Sequence, residues 1–127
     1  MKKSLILVLT GLFLAGIFGC NASRILKAVG TLHDGIKLIV NDPLVKKQIP
    51  KVKFDRLIAI DIEYNKAAAD IEATGLNNAN SLSIIIDCAD EVLAIFDKLV
   101  LDSQHKEKIE SLKTPLHLLK LYVQNKR

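Results

Sequence analysis

Aromatic residues are scarce in this chain of 127 residues, and tryptophan is absent. Phe and Tyr together make up 5% of the sequence, so the chain lacks the interleaved aromatic side chains on which many proteins stack nucleic-acid bases. Proline and glycine are also few, at three and six residues, which excludes collagen-like, linker-rich and disordered chains. The length suits one small domain and excludes the large cofactor-binding folds, which need roughly 200 residues or more.

The first twenty residues have the layout of an export signal. Lys2 and Lys3 precede an uncharged, mostly aliphatic run from Leu5 to Phe18. This run has about the length of a signal-peptide core and is shorter than the roughly 20 residues of a membrane-spanning helix. Because the positive end stays in the cytoplasm, we expect the chain after Cys20 to lie outside the inner membrane.

The segment ends in the order Ile17, Phe18, Gly19, Cys20. An aliphatic residue, a variable residue, Gly or Ala, and then Cys resembles the lipobox of bacterial lipoprotein precursors. The resemblance implies that residues 1–19 are a cleaved signal peptide and that the cysteine receives acyl chains. Two or three such chains hold a protein on a bilayer far better than one. An uncleaved anchor, or ordinary cleavage without a lipid, are the alternatives.

Asn21 follows the cysteine. In Gram-negative lipoproteins an Asp at this place favours retention in the inner membrane, so the resemblance implies the periplasmic side of the outer membrane for a Gram-negative source. Residues 20–22 are then the lipidated cysteine and a short tether, since three extended residues, 21–23, reach only about 10 Å. Residues 23–127 form the domain.

Apolar residues recur at intervals of three and four through most of this domain, which is the period of one helix face. The spacing predicts helices over residues 23–40, 78–101 and 103–124. A short helical turn is expected from Leu44, and Pro50 ends it.

Residues 51–74 contain two overlapping patterns. Alternate positions are apolar, as in a β-strand, at Val52, Phe54, Ile58, Ile60, Ile62 and Tyr64. We favour a helix, because no turn residue interrupts the segment and a run of alanines favours helix. The helical stripe consists of Leu57, Ile60, Tyr64, Ala67 and Ile71. Gly75 stands where a helix C-cap glycine belongs.

Four helices with short connections predict an all-α fold, an antiparallel up-down bundle of about four helices. Pro115 lies inside the last helix and should kink it. Gly30 and Gly35 weaken the first helix by roughly 1 kcal/mol each relative to Ala. They indicate either close packing against a neighbouring helix or a loosely held helix that opens to admit a partner helix.

Charge is segregated along the domain. Residues 24–56 have a net charge of +5, residues 57–102 of −7, and residues 103–127 of +4. The simplest interpretation is that acidic middle helices pack between basic outer ones with weak surface pairs.

Two groups of charged residues are candidates for binding. The membrane-proximal group would meet anionic headgroups, which favour each basic residue by up to about 1 kcal/mol, and consists of Arg24 and Lys27. The possible partner surface contains a second basic cluster and an acidic group, namely Lys46, Lys47, Lys51 and Lys53 with Asp87, Asp90 and Glu91.

Residues with catalytic or metal-binding potential are few. His33, His105 and His117 fall in no His-Glu-x-x-His motif, so we expect no metal site and no cofactor. Asp102 lies three residues before His105, and we interpret it as part of the start of the last helix and not as a metal ligand. Cys88 is unpaired if Cys20 is lipidated, and we expect it to be a small buried apolar residue. A catalytic role for that thiol would require one of the histidines as a base, and no enzyme motif is present.

These features predict a lipid-anchored helical module of the cell envelope that binds another envelope protein, with an amphipathic helix in a groove as one mode. In size, anchor and helical content the chain is similar to helical pilotin lipoproteins, which escort secretin subunits, and to small phage- or plasmid-encoded exclusion and immunity lipoproteins. A carrier of an apolar ligand between the helices and a small envelope enzyme are the alternatives. Nucleic acid is not an expected partner.

Overall fold

The computed structural model describes residues 16–76 and 79–126, and the side chains of residues 23–76 and 79–125. Over these residues the chain is all-α and contains no strand. The helices are α1 (Gly16–Val40), α2 (Pro43–Lys46), α3 (Lys51–Thr74), α4 (Ala79–Asp97) and α5 (Ser103–Lys126). The predicted signal peptide over residues 1–19 lies almost entirely outside the described part.

The ambiguous segment is a helix, as favoured. The residues of the helical stripe are buried along α3, whereas Val52 and Ile62 of the alternating pattern are exposed. Hydrophobic contact with the neighbouring helices therefore selects the helical period. At the end of α3 the N–H of Gly75 donates to the carbonyl of Ile71 at 2.7 Å. The φ of Gly75 is 87°, a conformation that glycine adopts at little cost.

Three helix boundaries differ from the prediction. α1 already begins at Gly16, so residues 21–23 are helical and rise about 5 Å rather than 10 Å. α4 ends at Asp97 instead of residue 101, because the next two N–H groups bond to carbonyls three residues back. The predicted start of this helix at residue 78 lies outside the described residues. α5 continues through Pro115 to Lys126.

The four long helices form an antiparallel up-down bundle, as predicted. α3 packs against α4, α4 against α5, and α5 against α1, with backbones that approach closely along each pair. The backbones of α1 and α3 approach closely at few points. These two helices are nonetheless neighbours, because Tyr64 of α3 bonds to Val29 and Asp61 to His33 of α1. The α1–α3 contact is therefore the weakest seam of the ring.

The two ends of the bundle differ in what they contain. One end, the distal end, combines α2 with the loop between α4 and α5. There Gln48 exchanges two hydrogen bonds of 2.8 Å with the backbone of Val100. Cys20 lies near the start of α1 at the other end. From Arg24 to Val40 the helix rises about 24 Å, so α2 lies that far from the start of the domain.

The core is built mainly from aliphatic side chains, together with Phe96, Tyr64 and Cys88. Phe96, Leu32, Ile85 and Leu119 are each at most 1% exposed. Gly35 packs against the side chain of Leu112 of α5 so closely that a Cβ there would overlap it. Gly30, by contrast, is exposed with open space where its Cβ would be. Close packing thus accounts for Gly35 and not for Gly30.

Candidate functional site

An open groove follows the seam between α1 and α3. We call it the α1–α3 groove; it encloses about 210 Å³. Its walls are mainly apolar, and its principal lining residues are His33, Ile36, Val40, Phe54, Ile58 and Tyr64. Ile58 at its rim is 50% exposed, and Ile62, one helical turn further along the same side of α3, is 63% exposed. The groove therefore presents an apolar surface to solvent.

Tyr64 closes the floor of this groove. Its hydroxyl donates a 2.6 Å hydrogen bond to the carbonyl of Val29, and burial raises the pKa of the phenol. The ring stacks on His33 with centroids 5.1 Å apart, and His33 Nε2 lies 2.8 Å from Asp61 Oδ1. α1 and α3 are thus joined through side chains at this level.

The predicted membrane-proximal residues, Arg24 and Lys27, lie in the first half of α1. Both are exposed, and their contact with headgroups stays a prediction. Cys20 belongs to the same helix, but its side chain lies outside the described residues.

The second basic cluster lies at the distal end, remote from Arg24. Lys46 places its ammonium 5.5 Å from the centroid of the Phe54 ring, within the range of a cation–π interaction. Lys51 pairs with Asp55 at 3.2 Å. The four lysines of this cluster lie at the end of α2 and in the first turn of α3.

The three acidic candidates of α4 do not form one surface. Both carboxylate oxygens of Glu91 accept hydrogen bonds from Arg56 of α3, at 2.6 and 2.7 Å, and this pairing lowers the pKa of Glu91. Asp90 points the other way and pairs with Lys120 of α5 at 3.0 Å. Asp87 is exposed. Asp90 therefore joins the acidic helix α4 to the basic outer helix α5, as the charge segregation indicated, whereas Glu91 joins α4 to the other middle helix, α3.

Cys88 is a buried free thiol, 4% exposed, in agreement with the prediction. Its sulfur lies 3.9 Å from Glu63 Oε1, and burial raises the pKa of the thiol to about 11. A thiol with this pKa is a poor nucleophile at neutral pH. Among the described contacts, His33 and His105 bond to carboxylates and not to this sulfur.

His105 joins two parts of the distal end that are far apart in sequence. Its Nδ1 lies 2.7 Å from Asp102 and its Nε2 lies 2.8 Å from Asp42. Asp102 also accepts the backbone N–H of His105, as expected for a helix entry. Asp42 caps α2 through the N–H of Leu44. The sequence indicated the local contact, but the bond to Asp42 spans 63 positions and leaves no local signal.

The charge state of this network sets a dependence of stability on pH. Hydrogen bonds to Asp102 and Asp42 raise the pKa of His105, and the bonds that the two carboxylates accept lower theirs. The stabilisation by the imidazolium is complete below its ordinary pKa of 6.5 and is lost as pH rises through the raised pKa. The carboxylates contribute above 3.8 and lose their contribution as pH falls through their lowered pKa values.

We expect His105→Gln to reduce the loss of stability between pH 6 and pH 8 because it removes the group whose protonation is linked to folding. The measurement is the urea midpoint at several pH values, followed by far-ultraviolet circular dichroism. His117→Gln is the matched control, since His117 is exposed on α5 and should keep the wild-type profile. An unchanged profile in His105→Gln would contradict the assignment.

Within residues 16–76 and 79–126, no group of three His, Cys, Asp or Glu residues is arranged to hold a metal ion. None of the helices in those ranges combines the length and apolar character needed to cross a bilayer.

Comparison of the chain with protein-family models, with curated proteins and with solved structures found no match.

Proposed function

We propose that this chain is a lipid-anchored helical module of the bacterial cell envelope that binds an amphipathic helix of another envelope protein. The anchor is Cys20, on the resemblance of residues 17–20 to a lipobox. The bundle then stands on the periplasmic side, and Asn21 favours the outer membrane. The α1–α3 groove is the observation on which the binding proposal depends.

The volume of the groove favours the side chains of a partner helix over an enclosed small molecule as its occupant. Cavities that hold small molecules usually enclose about 300–1,000 Å³, whereas the α1–α3 groove encloses about 210 Å³. It also continues along α3 as the exposed pair Ile58 and Ile62. An amphipathic helix presents apolar side chains at intervals of three and four, which match this spacing. An apolar-ligand carrier would require a larger and more enclosed space.

The seam itself supports this mode of binding. α1 and α3 approach each other closely at few backbone points, so a partner can insert side chains without breaking a densely packed helix pair. Lys37 lines the groove on the α1 side and forms no ion pair with another described residue. An acidic residue beside the apolar stripe of the partner would therefore fix its orientation.

The binding site can be tested by crosslinking in cells. A photoreactive amino acid at Ile62 should give an adduct with one protein, and the additional substitution Ile58→Glu should abolish this adduct. Leu38 is the matched control position, since it is 76% exposed and faces away from Ile36 and Val40 by helical periodicity. A lipid adduct at Ile62 would favour the carrier, and equal adducts at Ile62 and Leu38 would contradict the groove.

The anchor has its own test. The wild-type protein should incorporate radiolabelled palmitate and fractionate with membranes, whereas Cys20→Ala should do neither. Intact mass would give the cleavage site and the number of acyl chains. An unlabelled wild-type protein found free in the cytosol would refute the anchor whatever the crosslinking shows.

A further inference from the structure

The distal end combines exposed aliphatic side chains with lysines. Val100 is 85% exposed, Val52 is 77% exposed and Leu44 is 51% exposed. Gln48 holds two of them together, since its side-chain amide bonds to the backbone of both Leu44 and Val100. Large aliphatic residues that are this exposed gain nothing for folding, and a group of them indicates a contact surface.

A cleft of about 320 Å³ lies at the same end between the start of α3 and the end of α4. Gln48, Lys53, Arg56 and Lys98 line it. Glu91 is the acidic residue in this lining, and the bidentate bond from Arg56 already occupies its carboxylate. Lys53 and Lys98 are exposed and form no ion pair with another described residue.

Three other carboxylates near this end are bound within the chain. Asp42 and Asp102 bond to His105, and Asp55 pairs with Lys51. Asp97, at the end of α4, lines a depression that includes Lys113 and Lys120 of α5. The charged residues that line the cleft are Lys53, Arg56, Lys98 and Glu91, so its net charge is positive.

Helix stability does not explain the lysines at the start of α3. Lys51 and Lys53 stand in the first turn, which has no acidic residue. The helix dipole favours anions there and disfavours cations. The ion pair with Asp55 compensates Lys51, whereas Lys53 forms no ion pair with another described residue. A residue that breaks a local rule without a compensating contact often does so for function.

We infer that the distal end binds an acidic segment of a partner protein whose aliphatic side chains cover Val52 and Val100 while its carboxylates meet Lys53 and Lys98. This inference rests on the proposed function in one respect: an anchor at Cys20 directs the distal end away from the bilayer. The bundle rises about 24 Å between Arg24 and α2. An acidic protein segment is therefore a better occupant than the headgroups of the anchoring membrane.

The test uses the full chain in nonionic detergent, with Val100→Cys labelled by a solvatochromic dye. Cys88 should not react, since it is buried and its thiol has a pKa of about 11. The probes are a synthetic peptide of alternating Glu and Leu pairs, its Lys and Leu counterpart, and phosphatidylglycerol-containing mixed micelles. The acidic peptide should shift the emission to the blue, and added salt should weaken its binding.

Lys53→Gln/Lys98→Gln should weaken binding of the acidic peptide about tenfold, whereas Lys66→Gln, an exposed lysine further along α3, should leave it unchanged. Equal binding by all variants, no response to the peptide, or a blue shift with phosphatidylglycerol in place of the peptide would overturn the inference. The number of dye molecules bound per chain distinguishes a failure of this inference from a failure of the lipid anchor. A second dye on Cys20 would show that the anchor is not acylated, independently of the peptide result.

Discussion

Tyr64→Ala should lower the free energy of unfolding by about 3–5 kcal/mol, the usual effect of removing a buried aromatic ring. Tyr64 is 2% exposed, and it fills the space between α1 and α3 at the floor of the groove. The ring also supports His33. Since domains of this size are stable by about 5–15 kcal/mol, this one substitution removes a large part of the total.

Urea unfolding followed by circular dichroism would measure the change, and Tyr64→Phe is the matched control. Phenylalanine keeps the ring and loses only the bond to the carbonyl of Val29, so we expect about 0.5–1.5 kcal/mol. Amide hydrogen exchange adds a local readout, because exchange should accelerate in α1 before α4 and α5. Equal losses in the two variants would show that the ring contributes little to the seam.

Gly30→Ala should stabilise the protein, and Gly35→Ala should be less stable than Gly30→Ala, although both glycines lie in α1. At Gly30 a Cβ meets nothing within 4 Å, so alanine should stabilise the helix by roughly 1 kcal/mol. At Gly35 a Cβ would overlap the side chain of Leu112, which is 4% exposed and has little room to move. Overpacking of this kind costs about 1–3 kcal/mol, so Gly35→Ala should be less stable than Gly30→Ala by that amount.

The free energies of unfolding of the two variants give the comparison directly, because both remove one glycine from one helix. Gly35→Ala/Leu112→Val offers a further check, since the shorter side chain should relieve the overlap and recover part of the loss. If Gly35→Ala proved as stable as Gly30→Ala, α1 would not be held tightly against α5.

The Tyr64 variants and the glycine variants together test which neighbouring helix, α3 or α5, holds α1 in place. Gly35 permits close approach on the α5 side, whereas the α3 side is joined through Tyr64 and His33 above an open groove. Close packing therefore applies to the α5 side of α1, and the opening of α1 to admit a partner helix stays a prediction. A tight contact with α5 lets α1 remain in place while the α1–α3 groove stays accessible to a partner.

The sequence alone determined the all-α fold, the helices and most of the buried positions. Spacings of three and four suffice for this, because each helix must bury one stripe and the stripe is local in the chain. The burial of Cys88 and the end of α3 at Gly75 could be predicted for the same reason, since each depends on the pattern of its own helix. The lipobox is likewise a local motif, and the anchor at Cys20 remains a prediction of that kind.

Only the tertiary structure decided which faces stay open and which charges are already paired. Three side-chain contacts show this. They are the bond between α1 and α3 at Asp61, the bond from His105 to Asp42 and the pairing of Glu91 with Arg56, and they join residues that are 28 to 63 positions apart. No periodic pattern encodes such contacts, because they depend on how whole helices are placed against one another. For the same physical reason, Lys98, the residue after α4, lies beside Lys53 of α3 in the lining of the distal cleft only after the bundle has formed.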